Sequence, residues 1–437
     1  MEFVMTWIKE HKSELFAIAI VVLCTLYWTL YESDLLILIT AALALIAAAL
    51  LFFRNEEFFC LFLMLLPNTM MIKLQWSPSA LLGYFAILFA LKLILFDRKK
   101  IAVDNRIAAL VLVQLVSVAI TVIKNQNVSF IPSLVRLLGA VVAALWLIGS
   151  FGENPALRKK LLMSFVFGCV LNAISTTVYH GLVAEALGLK FFAGINNDRN
   201  YFSIALAVGM QFALVDMLAR RRFEISNCVY LLILLYGGIR SASRTFLVLC
   251  VPALILFVLL LGNLENKKQM RFVPPALAVL LAVTVVSPVG ARLMEVIKRF
   301  TGENVLSANK RTDEWAFYLA RTFSSIPNAL FGAGTASRVI AAGEYKLAEH
   351  STYVQALFET GICGLASFVA VFLSLTKRLR TGAMKFSAYL PLLTLLVGYS
   401  MLSAYYSDIF NYSLLLCLVV LSLPELRREA PVEGRLS

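Results

Sequence analysis

The chain reads as an all-α protein, a polytopic transmembrane helical bundle of about 12–14 spans with one large exoplasmic loop containing short helices. Three observations predict this. Hydrophobic residues make up 60% of the chain against 15% charged, and the mean hydropathy is +0.84, far outside the range of soluble domains. Apolar runs recur along the whole length with short charged punctuation between them. The alternation of a barrel strand is absent, and unpaired backbone is so costly in hydrocarbon that runs of this kind must close their own hydrogen bonds as helices.

Taken in order, spans are predicted near 15–30, 34–52, 58–72, 80–96, 107–123, 131–151 and 161–179. A second set follows near 201–219, 227–239, 245–262, 273–288, 353–375, 386–403 and 410–424. The runs at 58–72 and 227–239 are short and fit re-entrant or merged segments, which leaves the total between about twelve and about fourteen. No linker or composition break divides residues 1–437, so the chain is one integral membrane domain with an elaborated loop at 289–352.

Basic residues set the orientation. Arg98, Lys99 and Lys100, then Arg158, Lys159 and Lys160, then Arg220, Arg221 and Arg222 occupy alternate loops. Lys267, Lys268 and Arg271, then Lys377, Arg378 and Arg380, and the tail residues Arg427 and Arg428 continue the series. The positive-inside rule makes these loops cytoplasmic, with both termini inside and an even number of spans. The formal charge of +13 is then a topological signal and a match to anionic membrane lipids, not a sign of nucleic acid. The stretch from Met1 to Glu14 carries charges of both signs, and the first span lacks a small-residue cleavage site, so no cleavable signal peptide is expected. Seven cysteines stand singly in or beside apolar runs with no CxxC pair, which predicts small buried apolar residues and no zinc site.

That orientation gathers the opposite segments: turns near 31–33, 73–79 and 124–129, the segment 180–200, the turn 240–244, the loop 289–352 and the turn 404–409. The loop is too long for the positive-inside rule, so its basic residues do not contradict the topology. Within it, Ala291–Phe300 has the apolar spacing of an interfacial helix. A second helix begins near Arg311 and puts Glu314, Trp315 and Tyr318 on one face, and Gly332 and Gly334 mark a turn.

Four of the arginines on this side stand at the edge of a span or helix. Arg199 stands in Asn196–Asn200 just before a span, Arg240 and Arg244 bracket a Ser-Ala-Ser turn, and Arg311 opens the loop helix. Guanidinium stays charged and binds phosphate oxygens in pairs, with Ser241, Ser243 and the next helix start adding donors. The competing explanation, arginines snorkelling to headgroups, accounts for one such residue better than for four. His350 is the one histidine of the loop, where it runs back into an apolar helix. Ser351 and Thr352 are competent N-caps without it, and a neutral imidazole can take a proton from an attacking hydroxyl.

Asn197 to Asn200, Ser241 to Arg244, Arg311 with Trp315, Gly332 with Gly334, His350 with Tyr353 and Gln355, and Glu359 with Gly361 and Gly364 follow one another in order. This succession resembles the O-antigen ligase and O-antigen polymerase superfamily over about residues 195–375, roughly two-fifths of the chain. Such families more often have asparagine after the histidine, where this chain has Ser351. The resemblance implies a bundle with a large periplasmic loop in the bacterial inner membrane. It also implies transfer of a polysaccharide from undecaprenyl pyrophosphate to a sugar hydroxyl of the lipid A core, with inversion. His350 is then the general base, and Arg311 and Arg244 hold the pyrophosphate. Arg240 and Arg199 contribute further charge, and Tyr353, Gln355 and Trp315 complete the substrate site. No cofactor and no metal are expected, because no dense acidic cluster appears on that side.

Three other readings compete. An O-antigen polymerase or a protein O-oligosaccharyltransferase uses the same donor with another acceptor; one late loop carrying both Arg311 and His350 favours the ligase. A lipid-linked sugar transporter or flippase predicts ionisable residues at mid-membrane and broken helices in paired halves. A purely structural membrane protein leaves the one-sided arginines unexplained.

Overall fold

The computed structural model describes residues 6–8, 10–30, 36–72, 81–96, 105–125, 131–150, 154–179, 183–186, 189–192, 199–265, 267–272, 294, 311–334, 350–379, 385–402 and 408–423. The first half comprises helices α1 (Lys12–Leu30), α2 (Leu36–Phe52), α3 (Asn55–Leu65), α4 (Leu82–Leu95), α5 (Asn105–Asn125), α6 (Ile131–Ser150) and α7 (Pro155–Val178). Helices α8 (Arg199–Arg220), α9 (Ile225–Arg240) and α10 (Arg244–Gly262) follow. Two helices fall inside the expected loop, α11 (Arg311–Thr322) and α12 (Ile326–Phe331). Three more complete the bundle: α13 (Thr352–Leu379), α14 (Leu390–Tyr399) and α15 (Asp408–Leu421). Five of these, α1, α7, α8, α10 and α13, contain stretches long and apolar enough to cross a membrane, and shorter apolar helices accompany them. The protein is a helical membrane protein.

The helices fall on the predicted apolar runs, with three differences. The run at 58–72 divides into α3 and a 3-10 turn, Leu66–Met71, because Pro67 cannot donate to the helical ladder. Within 386–403 the α-helix is confined to α14, preceded by the 3-10 turn Phe386–Tyr389. The third is a local addition to the all-α architecture: β1 (Val183–Ala186) and β2 (Leu189–Phe192) pair as an antiparallel hairpin. The predicted span at 273–288 and the turns 31–33 and 73–79 lie outside the described residues, as do nearly all of the helix predicted at 291–300 and most of the turn 404–409.

Helix α8 is the axis of the bundle. Every residue from Phe202 to Leu218 is buried, the pattern of a helix surrounded by other helices. Polar side chains tie its neighbours to it. Gln211 exchanges two hydrogen bonds with Thr394 of α14, at 2.7 and 3.0 Å, and its amide also donates to the Leu249 carbonyl of α10 at 3.3 Å.

These ties give the bundle two distinct ends. At one, Arg158 of α7 donates to the Ser422 carbonyl just beyond α15 (3.1 Å). There too Asp216, near the end of α8, accepts from Arg220 (2.5 Å) and from Asn227 of α9 (2.9 Å). A cavity lined by His11, Glu14, Lys159, Lys160 and Glu224 brings the start of α1 to the same place. Beside it, buried Glu57 of α3 holds Lys12 (2.6 Å) and Arg54 (3.0 Å). Burial pushes the Glu57 carboxyl up, but the bonds from Lys12 and Arg54 outweigh it and hold the group below its usual range.

At the opposite end the start of α8 meets the end of α9, because the Ser203 and Ser241 hydroxyls lie 2.9 Å apart. The end of α14 packs there through Gly398 against Ile204. The start of α13 follows, since Thr352 donates to the Leu402 carbonyl (2.7 Å).

The close approach of α3 and α7 depends on one glycine. A Cβ at Gly168 of α7 would stand 2.3 Å from the Met64 carbonyl oxygen of α3, and the Gly168 carbonyl accepts from the Asn68 amide (3.1 Å). Gly168→Ala is expected to destabilise the bundle by about 1–3 kcal/mol, seen as a lower thermal midpoint of the purified protein in detergent. An unchanged midpoint would show that α3 and α7 can separate without loss.

Candidate functional site

The end of the bundle built on α8, α9 and α10 carries three of the four predicted arginines. Arg199 opens α8, Arg240 closes α9 and Arg244 opens α10, all half-buried. Between the last two, Ser241, Ala242 and Ser243 make a fully buried turn. Ala242 has φ +48°, a left-handed backbone that a residue with a Cβ adopts only when its surroundings hold it. The holding groups are visible. The Asn200 side-chain oxygen accepts from Ser243 (3.0 Å) and Thr245 (3.3 Å), and the Ser241 hydroxyl, beside Ser203, bonds the Gly238 carbonyl (2.5 Å).

Ser241 and Ser243, read from sequence as anion ligands, are therefore committed to the fold. The Ser243 hydroxyl also provides no cap to α10, so that helix start relies on other groups for its first-turn amides. What the turn does is fix the two arginines on its flanks.

Arg240 is held by aromatic rings. Its guanidinium lies 4.7 Å from the Phe192 ring centre and 5.8 Å from that of Tyr236, and it reaches the Tyr236 hydroxyl at 3.4 Å. Phe192 ends β2, so the hairpin supplies one wall of this cation–π clasp. The Arg240 Nε is buried and has no hydrogen-bond partner among the described residues. Nothing in the sequence reading pointed to Phe192 or Tyr236; an aromatic four residues before an arginine on one helix is the signal that was available.

His350 sits at the junction predicted for it, immediately before the start of α13, with φ +45°. Ser351 is the helix cap, its hydroxyl accepting from the Val354 amide (3.4 Å), which frees the imidazole from that task. Tyr353 donates to the Leu396 carbonyl (3.0 Å) and stacks edge-on against Tyr399 of α14. Gln355 is buried and donates to Glu359 (3.2 Å). The side chains of Tyr353 and Gln355 are thus engaged within the protein and steady the turn that bears His350.

Arg311 is the first residue of α11, as predicted, and is half-buried, as is Trp315. Glu314, Tyr318 and Thr322 form the buried face, and Tyr318 meets Phe358 of α13 at 4.9 Å between ring centres. Helix α12 then ends at Gly332 (φ +83°), whose backbone abuts Glu359 and Thr360, while Gly361 (φ +70°) abuts Leu330. A Cβ at either glycine would fall within 2.5 Å of backbone, so the two segments interlock. Arg311 is joined to His350 through α13, and Arg199, Arg240 and Arg244 are joined to it through α14 and α8.

No protein-family model matches the chain, and no curated protein matches it.

Asn200 is the residue on which the Ser-Ala-Ser turn rests. Asn200→Leu removes the acceptor of two buried hydroxyls and is expected to cost about 1–3 kcal/mol. The loss should appear as faster amide hydrogen exchange confined to Ser241–Thr245. Exchange at the wild-type rate would mean that Ala242 is held in its left-handed conformation by something else.

Proposed function

We propose that the chain is an O-antigen ligase of the bacterial inner membrane, working on the periplasmic side. The observation that carries the reading is the gathering of Arg199, Arg240 and Arg244 at the end of the bundle where α13 begins after His350. This end lies opposite the one bearing Lys12, Arg158, Lys159, Lys160 and Arg220. If the second end is cytoplasmic, as alternating basic loops imply, the first faces the periplasm.

The chemistry follows from the groups. An acceptor sugar hydroxyl of the lipid A core gives its proton to His350 as its oxygen attacks the anomeric carbon of the undecaprenyl-pyrophosphate-linked polysaccharide. The bond from that carbon to the pyrophosphate oxygen breaks, and undecaprenyl pyrophosphate leaves with the electron pair. A single displacement inverts the anomeric centre. Negative charge grows on the departing pyrophosphate, so fixed cations lower the barrier; well-placed donors contribute roughly 3–4 kcal/mol each. Arg311 and Arg244 are assigned to that group, with Arg240 and Arg199 beside them. A positioned base adds about 10²–10⁴ in rate.

Two variants test the assignment. His350→Ala is expected to abolish transfer by purified protein from a synthetic undecaprenyl-pyrophosphate donor to lipid A core, with the thermal midpoint preserved. Retention of near-normal transfer would remove the base.

Arg311→Lys keeps the charge and loses the fork, so a severe fall in rate is expected, unchanged by chelator. If Arg311 only balanced an exposed carboxylate, worth about 0.2–1 kcal/mol, lysine would serve as well. A rate that vanished with chelator and returned with magnesium would make a metal share the pyrophosphate.

A further inference from the structure

At the basic end of the bundle, away from the proposed transferase site, helices α1, α7 and α9 enclose a cavity of about 480 Å³. Each helix contributes polar groups at the mouth and apolar ones deeper in. On α1, Glu14 is followed one turn on by Ile18. On α7, Lys159 and Lys160 are followed by Met163 and Phe167, and on α9 Asn227 is followed by Tyr230. These spacings of three, four and seven residues repeat one helical face, so the cavity is charged at the membrane surface and apolar about one to two turns below it. Ile18 is 40% exposed, which leaves the apolar part open to the hydrocarbon beside the protein. Trp7 and His11 stack at 4.7 Å and form one side of the mouth.

Most polar groups here are already matched. Glu224 pairs with Arg220 and Arg222, Asn227 donates to Asp216 (2.9 Å), and Ser164 donates to the Lys160 carbonyl (2.7 Å). Three charged groups are not. Among the described residues Lys159 and Lys160 make no ion pair, and the Glu14 Oε2 is buried without a hydrogen-bond partner. A buried carboxylate oxygen left unmatched is costly. Beside two ammonium groups it defines a complement: a ligand with a phosphate for the lysines, a cationic donor for the carboxylate, and an apolar body.

We propose that this cavity binds a membrane aminophospholipid of the phosphoethanolamine class. The phosphate lies between Lys159 and Lys160 at the start of α7, the ammonium meets Glu14, and an acyl chain follows Ile18, Phe167 and Tyr230. Basic pockets between membrane helices hold lipid phosphates in this way, and the start of α7 adds the positive end of a helix dipole. Glu14 decides the class, because a purely anionic headgroup would be repelled by it. The proposal rests on the fold and is independent of the transferase reading.

The test is native mass spectrometry of the purified full-length chain, titrated in detergent with phosphatidylethanolamine, phosphatidylglycerol and N-acetylated phosphatidylethanolamine. Phosphatidylethanolamine adducts are expected at about tenfold lower lipid concentration than the other two, the worth of one charge-assisted hydrogen bond. Glu14→Gln is expected to erase that preference, and Lys159→Met combined with Lys160→Met to weaken all three lipids. Equal binding of the three lipids by the wild type would overturn the proposal, whatever the folding of the variants. Glycerophosphoethanolamine, the same headgroup without acyl chains, is expected not to displace the lipid at equal concentration. Displacement would assign the cavity to a soluble phosphoamine and overturn the lipid assignment.

Discussion

A helix interrupted in an apolar bundle must find new partners for the backbone groups that the break releases. Helix α13 is interrupted at Gly361, with φ +70°. The donors that replace the helical ladder come from two directions. The Phe358 carbonyl accepts from the Ala333 amide (2.7 Å), and the Thr360 carbonyl accepts from the Ser117 hydroxyl of α5 (2.5 Å). Ala333 follows α12 directly, so the segment that carries Arg311 is docked on α13 because α13 needs its backbone. The position of α11, which packs on α13 through Tyr318 and Phe358, depends on that exchange. The interlocking of Gly332 and Gly361 is its steric counterpart, since backbone donors and acceptors meet only where no Cβ intervenes.

The same economy appears at the other half of the site. Asn200, Ser203, Ser241 and Ser243 use hydrogen-bonding capacity on one another, which fixes the backbone from which Arg240 and Arg244 extend. Guanidinium is suited to this position. It retains its charge when half-buried, and the rings of Phe192 and Tyr236 offset part of the desolvation of Arg240 while restricting its motion. A lysine in that clasp would be a point charge on a flexible stem, whereas the planar group lies flat on a ring and directs its donors sideways.

Much of the architecture was legible in the sequence, for a physical reason. Apolar runs of this length admit one local solution in a membrane, so the described helices fall where hydropathy puts them. The starts of α11 at Arg311 and of α13 just after His350 were marked by the return of helical periodicity and by the Ser351 cap. What could not be read was the internal bookkeeping of polar groups. Glu359-Thr360-Gly361-Ile362 looks like an uninterrupted helix, because the partners that make the break tolerable, Ser117 and Ala333, are far away in the chain. Ser241, Ser243, Tyr353 and Gln355 each bond to the protein itself, and most of those partners are far away in the chain. The hairpin at Val183–Phe192 is too short to show a period of two, and its place was read only as a segment between spans.

The distribution of charge links these points. At the basic end, carboxylates answer four of the cations: Glu57 holds Lys12 and Arg54, Asp216 holds Arg220, and Glu224 holds Arg220 and Arg222. At the other end Arg240 meets aromatic rings and a phenol instead of a carboxylate. A paired arginine is electrostatically spent, and an anion arriving beside it would meet a dipole. An arginine clasped by ring faces keeps its net charge, while its orientation is fixed in advance. Charge held in place before the ligand arrives stabilises a developing anion without reorganisation at the moment of reaction.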